Sequence, residues 1–267
     1  MDWNSILLAG VSGGLAALIT SLLIKNKEAK KSLYTVTLLV LFLAFNTLAK
    51  IYILPQLNAA NVRAEVEQAF QDVPAFKSIQ KYEPVIYQEM VNSLVEGKKQ
   101  GLDEQQMIDV VRTKVATLVE KRIPHASDES LIGYVAIMVE EMRELQAKRD
   151  GSCFKFLFPA VAGGINPSKI ISKQLLAKDL AALDEVIKTS NTPRAIPQQV
   201  DIIPLIEPTF KVLYETYGDD ISLLENPGAA GIDQEKICII STDLYSQILQ
   251  LSKADASRTL RWMFSEM

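Results

Sequence analysis

Residues 6–24 read ILLAGVSGGLAALITSLLI and residues 33–49 read LYTVTLLVLFLAFNTLA, and neither stretch contains a charged side chain. A helix of about 17 to 22 residues, rising roughly 1.5 Å per residue, covers the ~30 Å hydrocarbon core of a bilayer. The link between the two stretches, residues 25–31, reads KNKEAKK and holds four lysines. The sequence therefore predicts a transmembrane hairpin of two helices over residues 1–56.

The distribution of lysines predicts how this hairpin faces. Lysines in short loops near helix ends stay in the cytoplasm, and the segment before residue 6 contains none. We therefore expect residues 25–31 inside, and the N-terminus and the C-terminal domain outside, which is the periplasm if the hairpin lies in an inner membrane. A cleaved signal peptide is the alternative, but it requires a positive leader and a shorter apolar run of about 7–15 residues.

Small residues mark one face of the first predicted span. Gly10 and Gly14 form a G-x-x-x-G pair, and Gly13 with Ala17 repeats the spacing one position later. Such faces let two helix backbones approach closely in lipid. We interpret this face as packing either against the second helix or against a second chain, which would make a homo-oligomer. In the second span, Asn46 is expected to face protein, because an unpaired amide in hydrocarbon is costly.

The chain after residue 56 is acidic. Residues 1–56 contain five lysines, one aspartate and one glutamate, a balance of +3, and because the whole chain carries −4, residues 57–267 carry −7. Binding to nucleic acid depends on clustered Lys and Arg that neutralise phosphates. We therefore expect no nucleic-acid partner.

Helical periodicity dominates the acidic part, which predicts an all-α fold. Two helical parts, residues 57–190 and 209–267, are separated by residues 191–208, which contain four prolines and no clear period. Because proline interrupts helices, residues 191–208 are predicted to form a hinge or linker. The predicted helix starts include Asp103 with Gln106 three residues later, Ser127, and Asn166 before Pro167, the last opening a single helix to about residue 190.

A third apolar run, residues 154–165, reads FKFLFPAVAGGI. About 12 residues are too few to span a bilayer, so we interpret the run either as core or as a segment that dips into the bilayer surface. Phe154, Phe156 and Phe158 alternate and would share one face if this segment were extended.

The two cysteines, Cys153 and Cys238, both lie in the part expected outside the cytoplasm. An oxidising compartment favours a disulfide between them, and two separate buried thiols are the alternative. Ile237, Ile239 and Ile240 surround Cys238, which predicts that it lies on or near the buried side of its helix. A disulfide requires the two Cα atoms to approach within roughly 7 Å.

Few residues could carry catalysis. His125 is the single histidine, which excludes histidine-rich metal sites. Ser78 and Lys81 match the S-x-x-K motif of serine enzymes, but a chance match is expected and the S-D-N partner motif is missing. Glu129 precedes Ser130, a dipeptide also used by lysozyme-like enzymes, although a helix start explains it equally.

A second group of acids, Glu140, Glu141 and Glu144, lies beside Arg143 and Lys148 on one predicted helix. Charges of both signs at this spacing are typical of a solvated helix face. We therefore assign this group no chemistry.

The pattern as a whole favours a non-enzymatic membrane protein that presents an acidic helical domain outside the cytoplasm. Its expected partners are the lipid bilayer and other envelope proteins, with no cofactor, no metal and no catalytic residue. The alternative is a membrane-bound enzyme that cleaves cell-wall glycan with a single glutamate, for which Glu129 is the candidate.

Overall fold

The structure is a computed structural model that describes residues 9–12, 15–16, 31–48 and 54–266. These residues form helices and their connections, without a strand among them, which confirms the all-α fold. The helices are α1 (Lys31–Leu48), α2 (Leu54–Gln71), α3 (Pro74–Tyr82), α4 (Pro84–Gln100), α5 (Glu104–Arg122), α6 (Asp128–Gln146), α7 (Ser152–Leu157), α8 (Pro159–Ala162), α9 (Pro167–Ile170), α10 (Lys173–Thr189), α11 (Gln199–Tyr217), α12 (Gln234–Ile248) and α13 (Lys253–Ser265). Two 3₁₀ segments, Ile123–His125 and Gly218–Glu225, follow α5 and α11.

The predicted transmembrane hairpin falls only partly on this described portion. None of the described helices is long and apolar enough to cross a membrane. Most of the first predicted span lies outside the described residues, and so do residues 25–30 of the link. Among the residues expected to pack there, Gly13, Gly14 and Ala17 also lie outside them, whereas Gly10 is exposed and Asn46, in α1, is half-buried.

The chain forms two compact units. The first comprises Met1–Gln68 and Val95–Gly101, and the second comprises Ala69–Leu94 and Leu102–Met267. In the first unit, the Nζ atom of Lys98 lies 2.7 Å from a carboxylate oxygen of Glu65. This ion pair joins α2 to the end of α4.

In the second unit, α6 is the central helix and contributes to two apolar clusters. Leu131 and Val135 in its first half lie in the first cluster, and Val139, Met142 and Leu145 in its second half lie in the second. The other members of the first cluster are Ile123, Ala126, Val186, Leu213, Leu244, Ile248 and Leu260. The other members of the second are Cys153, Ile165, Ile171, Leu175 and Cys238.

All three predicted helix starts have capping contacts, and at the third the side chain of Asn166 accepts a hydrogen bond from the N–H of Ser168 at 3.2 Å. The carboxylate of Asp103 accepts a hydrogen bond from the backbone N–H of Gln106, and the backbone N–H of Asp103 donates to the side-chain oxygen of Gln106, both at 2.9 Å. Ser127 accepts a hydrogen bond from the N–H of Ser130 at 3.1 Å. Each side chain satisfies an N–H that has no partner inside the helix.

The single helix expected from Asn166 to about residue 190 is instead two helices, α9 and α10. The carboxylate of Glu144 accepts hydrogen bonds from the backbone N–H of Ser172 at 2.6 Å and from its hydroxyl at 2.8 Å. Ile171, in the extended conformation, separates the two helices and is buried. A side chain from α6 therefore caps α10 and sets where it begins.

The proline-rich segment 191–208 is helical over its second half. Residues 191–198 are irregular, and α11 begins at Gln199 and includes Pro204 and Pro208. Side chains from both sides of residues 191–198, including Val186 and Leu213, share the first apolar cluster. The parts of the chain before and after this segment thus belong to one packed unit.

The apolar run 154–165 forms the short helices α7 and α8, so its phenylalanines do not alternate along a strand. Phe154 is buried, and its ring centroid lies 5.1 Å from that of Phe158, one helical turn away. Val161 is 52% exposed. Phe154 and Ile165, at the two ends of the run, are therefore core, and residues 159–161 between them reach the surface.

Candidate interaction surface

The helix α11 has two apolar faces, which lie about a third of a turn apart around its axis. Its inner side carries Ile202, Thr209 and Leu213, which are buried, and Ile206, which packs against the first apolar cluster. Their spacing of three, four and seven residues is that of one helix face. This face fixes α11 on the second unit and leaves the neighbouring face of the helix in solvent.

The side of α11 that faces solvent carries large apolar side chains at the same kind of spacing. Val200 is 68% exposed, Ile203 53%, Phe210 39% and Tyr214 60%. Together with Glu207 they alternate steps of three and four residues, the pattern of a helix that packs along another helix. We call these five residues the outer face of α11.

Two prolines inside α11 lie beside the outer face, and both are exposed. Proline has no N–H, so the carbonyl groups of Val200 and Pro204 receive no hydrogen bond from the residue four positions later. A proline in a helix interior costs roughly 3 kcal/mol relative to alanine. Where a sequence breaks such a local rule, a functional surface is a common reason.

An open groove of about 1160 Å³ lies along the C-terminal half of α11. Its walls are the end of the outer face and the 3₁₀ segment Gly218–Glu225 that folds back beside it. The lining residues are Glu207, Pro208, Phe210, Lys211, Tyr214, Glu215, Gly218, Asp219, Ile221 and Ser222. The groove therefore lies next to the outer face, so that the exposed apolar surface continues into a concave region.

Two charged side chains, Glu207 and Lys211, lie on or beside the outer face. Glu207 lies in the middle of the outer face and Lys211 one turn later, and both are exposed. Neither forms an ion pair with any other residue that the structure describes. An exposed apolar face with two unpaired charges of opposite sign is typical of a protein–protein contact surface.

The two cysteines form a buried disulfide, which confirms the sequence prediction. Cys153 in α7 and Cys238 in α12 have Cα atoms 6.1 Å apart, and they are 4% and 1% exposed. The side-chain amide of Gln146 donates to the sulfur of Cys238 at 3.4 Å and to the hydroxyl of Thr242 at 2.8 Å. The disulfide thus ties α7 to α12 inside the second apolar cluster.

Glu129, the candidate acid for glycan cleavage, lies in a setting that favours its charged form. Its side chain is 69% exposed and forms an ion pair with Lys253. The hydrogen bond from Lys253 lowers the pKa of Glu129 below its usual value. A glutamate that protonates a glycosidic oxygen needs the opposite, a raised pKa.

A buried acid that sequence reasoning missed lies between α6 and α10. Glu141 is 3% exposed, so the interpretation of the acids near residue 140 as a solvated face is wrong for this residue. Burial, reinforced by Asp179 and then Glu144, raises the pKa of Glu141 to about 9. Burial also raises the pKa of Asp179 to about 6 and that of Tyr134 above its usual range. Glu141 and its exposed neighbour Glu140 differ only in the side of the helix on which they lie. The position of Glu141 relative to the apolar residues of α6 is the one sequence signal that could have identified it.

The S-x-x-K match does not form a nucleophilic site. The hydroxyl of Ser78 is buried and donates to a carboxylate oxygen of Asp184 at 2.5 Å, and Lys188 donates to the other oxygen at 2.6 Å. Lys81 instead lies over the ring of Tyr82, 4.7 Å from its centroid. Ser78 therefore joins α3 to α10 as a structural contact.

Comparison of the chain with protein-family models, with curated proteins and with solved structures finds no match in any of the three.

Proposed function

We propose that this protein is a membrane-anchored, non-enzymatic assembly protein. Residues 1–56 hold it in the bilayer as a hairpin, and its acidic helical part lies outside the cytoplasm. There the outer face of α11 binds a protein partner, so that the chain joins other envelope proteins into a larger assembly.

The membrane anchor is supported by sequence and by exposed side chains. Residues 6–24 and 33–49 carry no charge. In α1, Val40 is 57% exposed, Leu43 55% and Leu48 51%. A helix that turns apolar side chains of this size outward needs an apolar surrounding, which lipid provides.

The location outside the cytoplasm is supported by the disulfide together with the lysines. Disulfides persist in oxidising compartments such as the periplasm and are rare in the cytosol. Cys153 and Cys238 are bonded to each other. The lysine-rich residues 25–31 favour the same orientation, because they would remain on the cytoplasmic side.

The observation that carries the assembly role is the outer face of α11. Four large apolar side chains lie exposed in one stripe on a helix whose neighbouring face is packed against the core. Hydrophobic side chains scattered singly over a surface need no explanation, but several aligned on one helix face beside an apolar groove indicate a binding site.

Two reporter fusions test the anchor and its orientation. A reporter active only outside the cytoplasm, fused after Met267, is expected to be active, and a reporter active only in the cytoplasm is expected to be silent at the same position. The protein is also expected to remain in the membrane pellet after an alkaline wash. The reverse reporter pattern, or release by the wash, contradicts the proposal.

Photo-crosslinking in cells tests the assembly role. A photoreactive amino acid at Ile203, on the outer face, is expected to give adducts of higher mass. The matched control is Val212, which is 43% exposed on the same helix but lies away from the outer face, and it is expected to give none. Equal adducts from both positions, or none from either, contradict a specific binding surface.

The enzymatic alternative has its own test. Purified protein is expected to show no cleavage of murein, with or without the substitution Glu129→Gln. An activity present in the unaltered protein and lost on this single change would replace the assembly role by glycan cleavage.

A further inference from the structure

We infer that the partner of the outer face of α11 is a second copy of this chain, and that the two α11 helices pack antiparallel about a two-fold axis. The inference deepens the proposed function, since it names the partner of the surface on which that function depends. Three features of α11 support it: the order of its side chains, its charges and its prolines.

The order of side chains along the outer face is compatible with self-pairing. In a two-fold contact, each residue meets a residue of the same patch on the other copy. When Ile203 lies against Tyr214 of the second copy, Val200 reaches the groove beside Gly218 and Ile221 of that copy. The same contacts recur on the other side of the axis, so that both grooves are filled and both stripes are covered.

The charges of the outer face are complementary in this same register. Glu207 of one copy lies beside Phe210 and Lys211 of the other, which forms two equivalent ion pairs across the axis. Both residues are exposed and neither is paired within its own chain among the residues that the structure describes. Reciprocal opposite charges fix register and orientation in helix pairs.

The prolines supply hydrogen-bond acceptors at the contact. Pro204 and Pro208 leave the carbonyl groups of Val200 and Pro204 without their usual helical donors. The antiparallel register brings Tyr214 of the second copy, with its phenolic hydroxyl, to this part of the helix. The hydroxyl of Tyr214 can therefore donate to one of these carbonyl groups, which a continuous helix would not offer.

A lipid surface is a poorer occupant than a second copy. Helices that lie on membranes carry several Lys or Arg residues around their apolar side, which anionic headgroups attract. The outer face has Glu207 at its centre and Lys211 as the cation beside it, and residues 57–267 carry a net charge of −7. Anionic lipid would repel such a face.

The first test is the mass of the full-length protein in mild detergent, measured by light scattering with the detergent contribution subtracted. The substitution Ile203→Asp places a charge opposite Tyr214 of the second copy, among the apolar side chains of the contact, and is expected to halve the protein mass. Burial of an unpaired charge costs about 2 to 5 kcal/mol, which corresponds to a dissociation constant raised at least roughly 30-fold. The control Val212→Asp is expected to leave the mass unchanged.

The second test exchanges the charges. Glu207→Lys alone and Lys211→Glu alone each place like charges opposite one another and are expected to weaken the dimer, whereas the two substitutions together restore it. Three results would overturn the inference. The unaltered protein could have the mass of a monomer at every concentration, or Ile203→Asp could leave the mass of a dimer unchanged. The third is a double substitution that fails to restore the mass of the dimer. The reporter fusions and the alkaline wash test the anchor separately, so that failure of the dimer and failure of the anchor are told apart.

Discussion

Arg261 and Asp128 form an ion pair with 2.6 Å between the guanidinium nitrogen and the carboxylate oxygen, and this pair holds α13 against the first turn of α6. The guanidinium of Arg261 is buried, and it also donates to the carbonyl oxygens of Pro124 and Ala126. One side chain thus satisfies three acceptors around the start of the central helix.

The substitution Arg261→Met is therefore expected to lower the free energy of unfolding by about 3 to 5 kcal/mol, because it leaves buried acceptors unpaired. Thermal or urea unfolding of the purified protein measures this loss. The matched control is Arg258→Met in the same helix, where the arginine is exposed, and it is expected to change stability by less than about 0.5 kcal/mol. Equal losses in both variants would mean that the contacts of Arg261 contribute nothing specific.

Gly164 and Gly163 form a second matched pair for mutation. Both have positive φ, +69° and +82°, so alanine at either position is strained by roughly 1–2 kcal/mol. Only at Gly164 would the new Cβ collide with the guanidinium of Arg112, which donates to the carbonyl oxygen of Ile165 at 2.6 Å. Gly164→Ala is thus expected to destabilise the protein by about 1 kcal/mol more than Gly163→Ala, as measured by the shift in urea midpoint. Equal losses in the two variants would show that Arg112 moves aside without cost.

The disulfide between Cys153 and Cys238 is expected to contribute about 4 to 5 kcal/mol to stability. The two residues are 85 positions apart, and in the chain-entropy model a bond that closes a loop of this length restricts the unfolded chain strongly. The double substitution to alanine is expected to lower the unfolding midpoint, and reduction of the unaltered protein is expected to lower it equally. A reducing agent that also destabilises the alanine variant would indicate an unrelated effect.

The buried acid Glu141 predicts how stability depends on pH. Because the pKa of Glu141 is raised to about 9 in the folded protein, the folded chain holds a proton that the unfolded chain releases from about pH 4.5 upward. The raised pKa of Glu141 therefore lowers the free energy of unfolding as the pH rises from about 4.5 to about 9. The raised pKa of Asp179 has the same effect at lower pH.

The substitution Glu141→Gln removes this proton linkage. It is expected to stabilise the protein by roughly 1 to 3 kcal/mol at pH 8 and by little at pH 4.5. Unfolding curves at both pH values measure the difference. Glu140→Gln, on the exposed side of the same helix, serves as the control and is expected to leave the pH dependence of stability unchanged.

The sequence predicts those parts of the fold that depend on neighbouring residues. The caps at Asp103 and Ser127 follow from a side chain and an N–H three residues apart, and the structure confirms both. The burial of Cys238 follows from the isoleucines next to it in the same helix. Such features depend on residues within one or two helical turns of each other, so a short sequence pattern is enough to predict them.

The remaining features depend on contacts between distant residues. Two prolines favour an irregular segment at residues 199–208, but burial of Ile202 on the inner side of α11 overrides them. The break before α10 comes from Glu144, which is 28 residues away from Ser172. The outer face of α11 could not be predicted either, because the apolar pattern of a helix does not say which of two apolar sides is packed.

The irregular segment before α11 has a consequence for the protein under proteolysis. Residues 191–196 are all exposed, and Arg194 followed by Ala195 is a site that trypsin can cut. The fragment before the cut contains Cys153 and the fragment after it contains Cys238, so the disulfide keeps them together. A nicked molecule would migrate as one species without reductant and as two with it. The backbone can thus be opened at residue 194 without releasing either half.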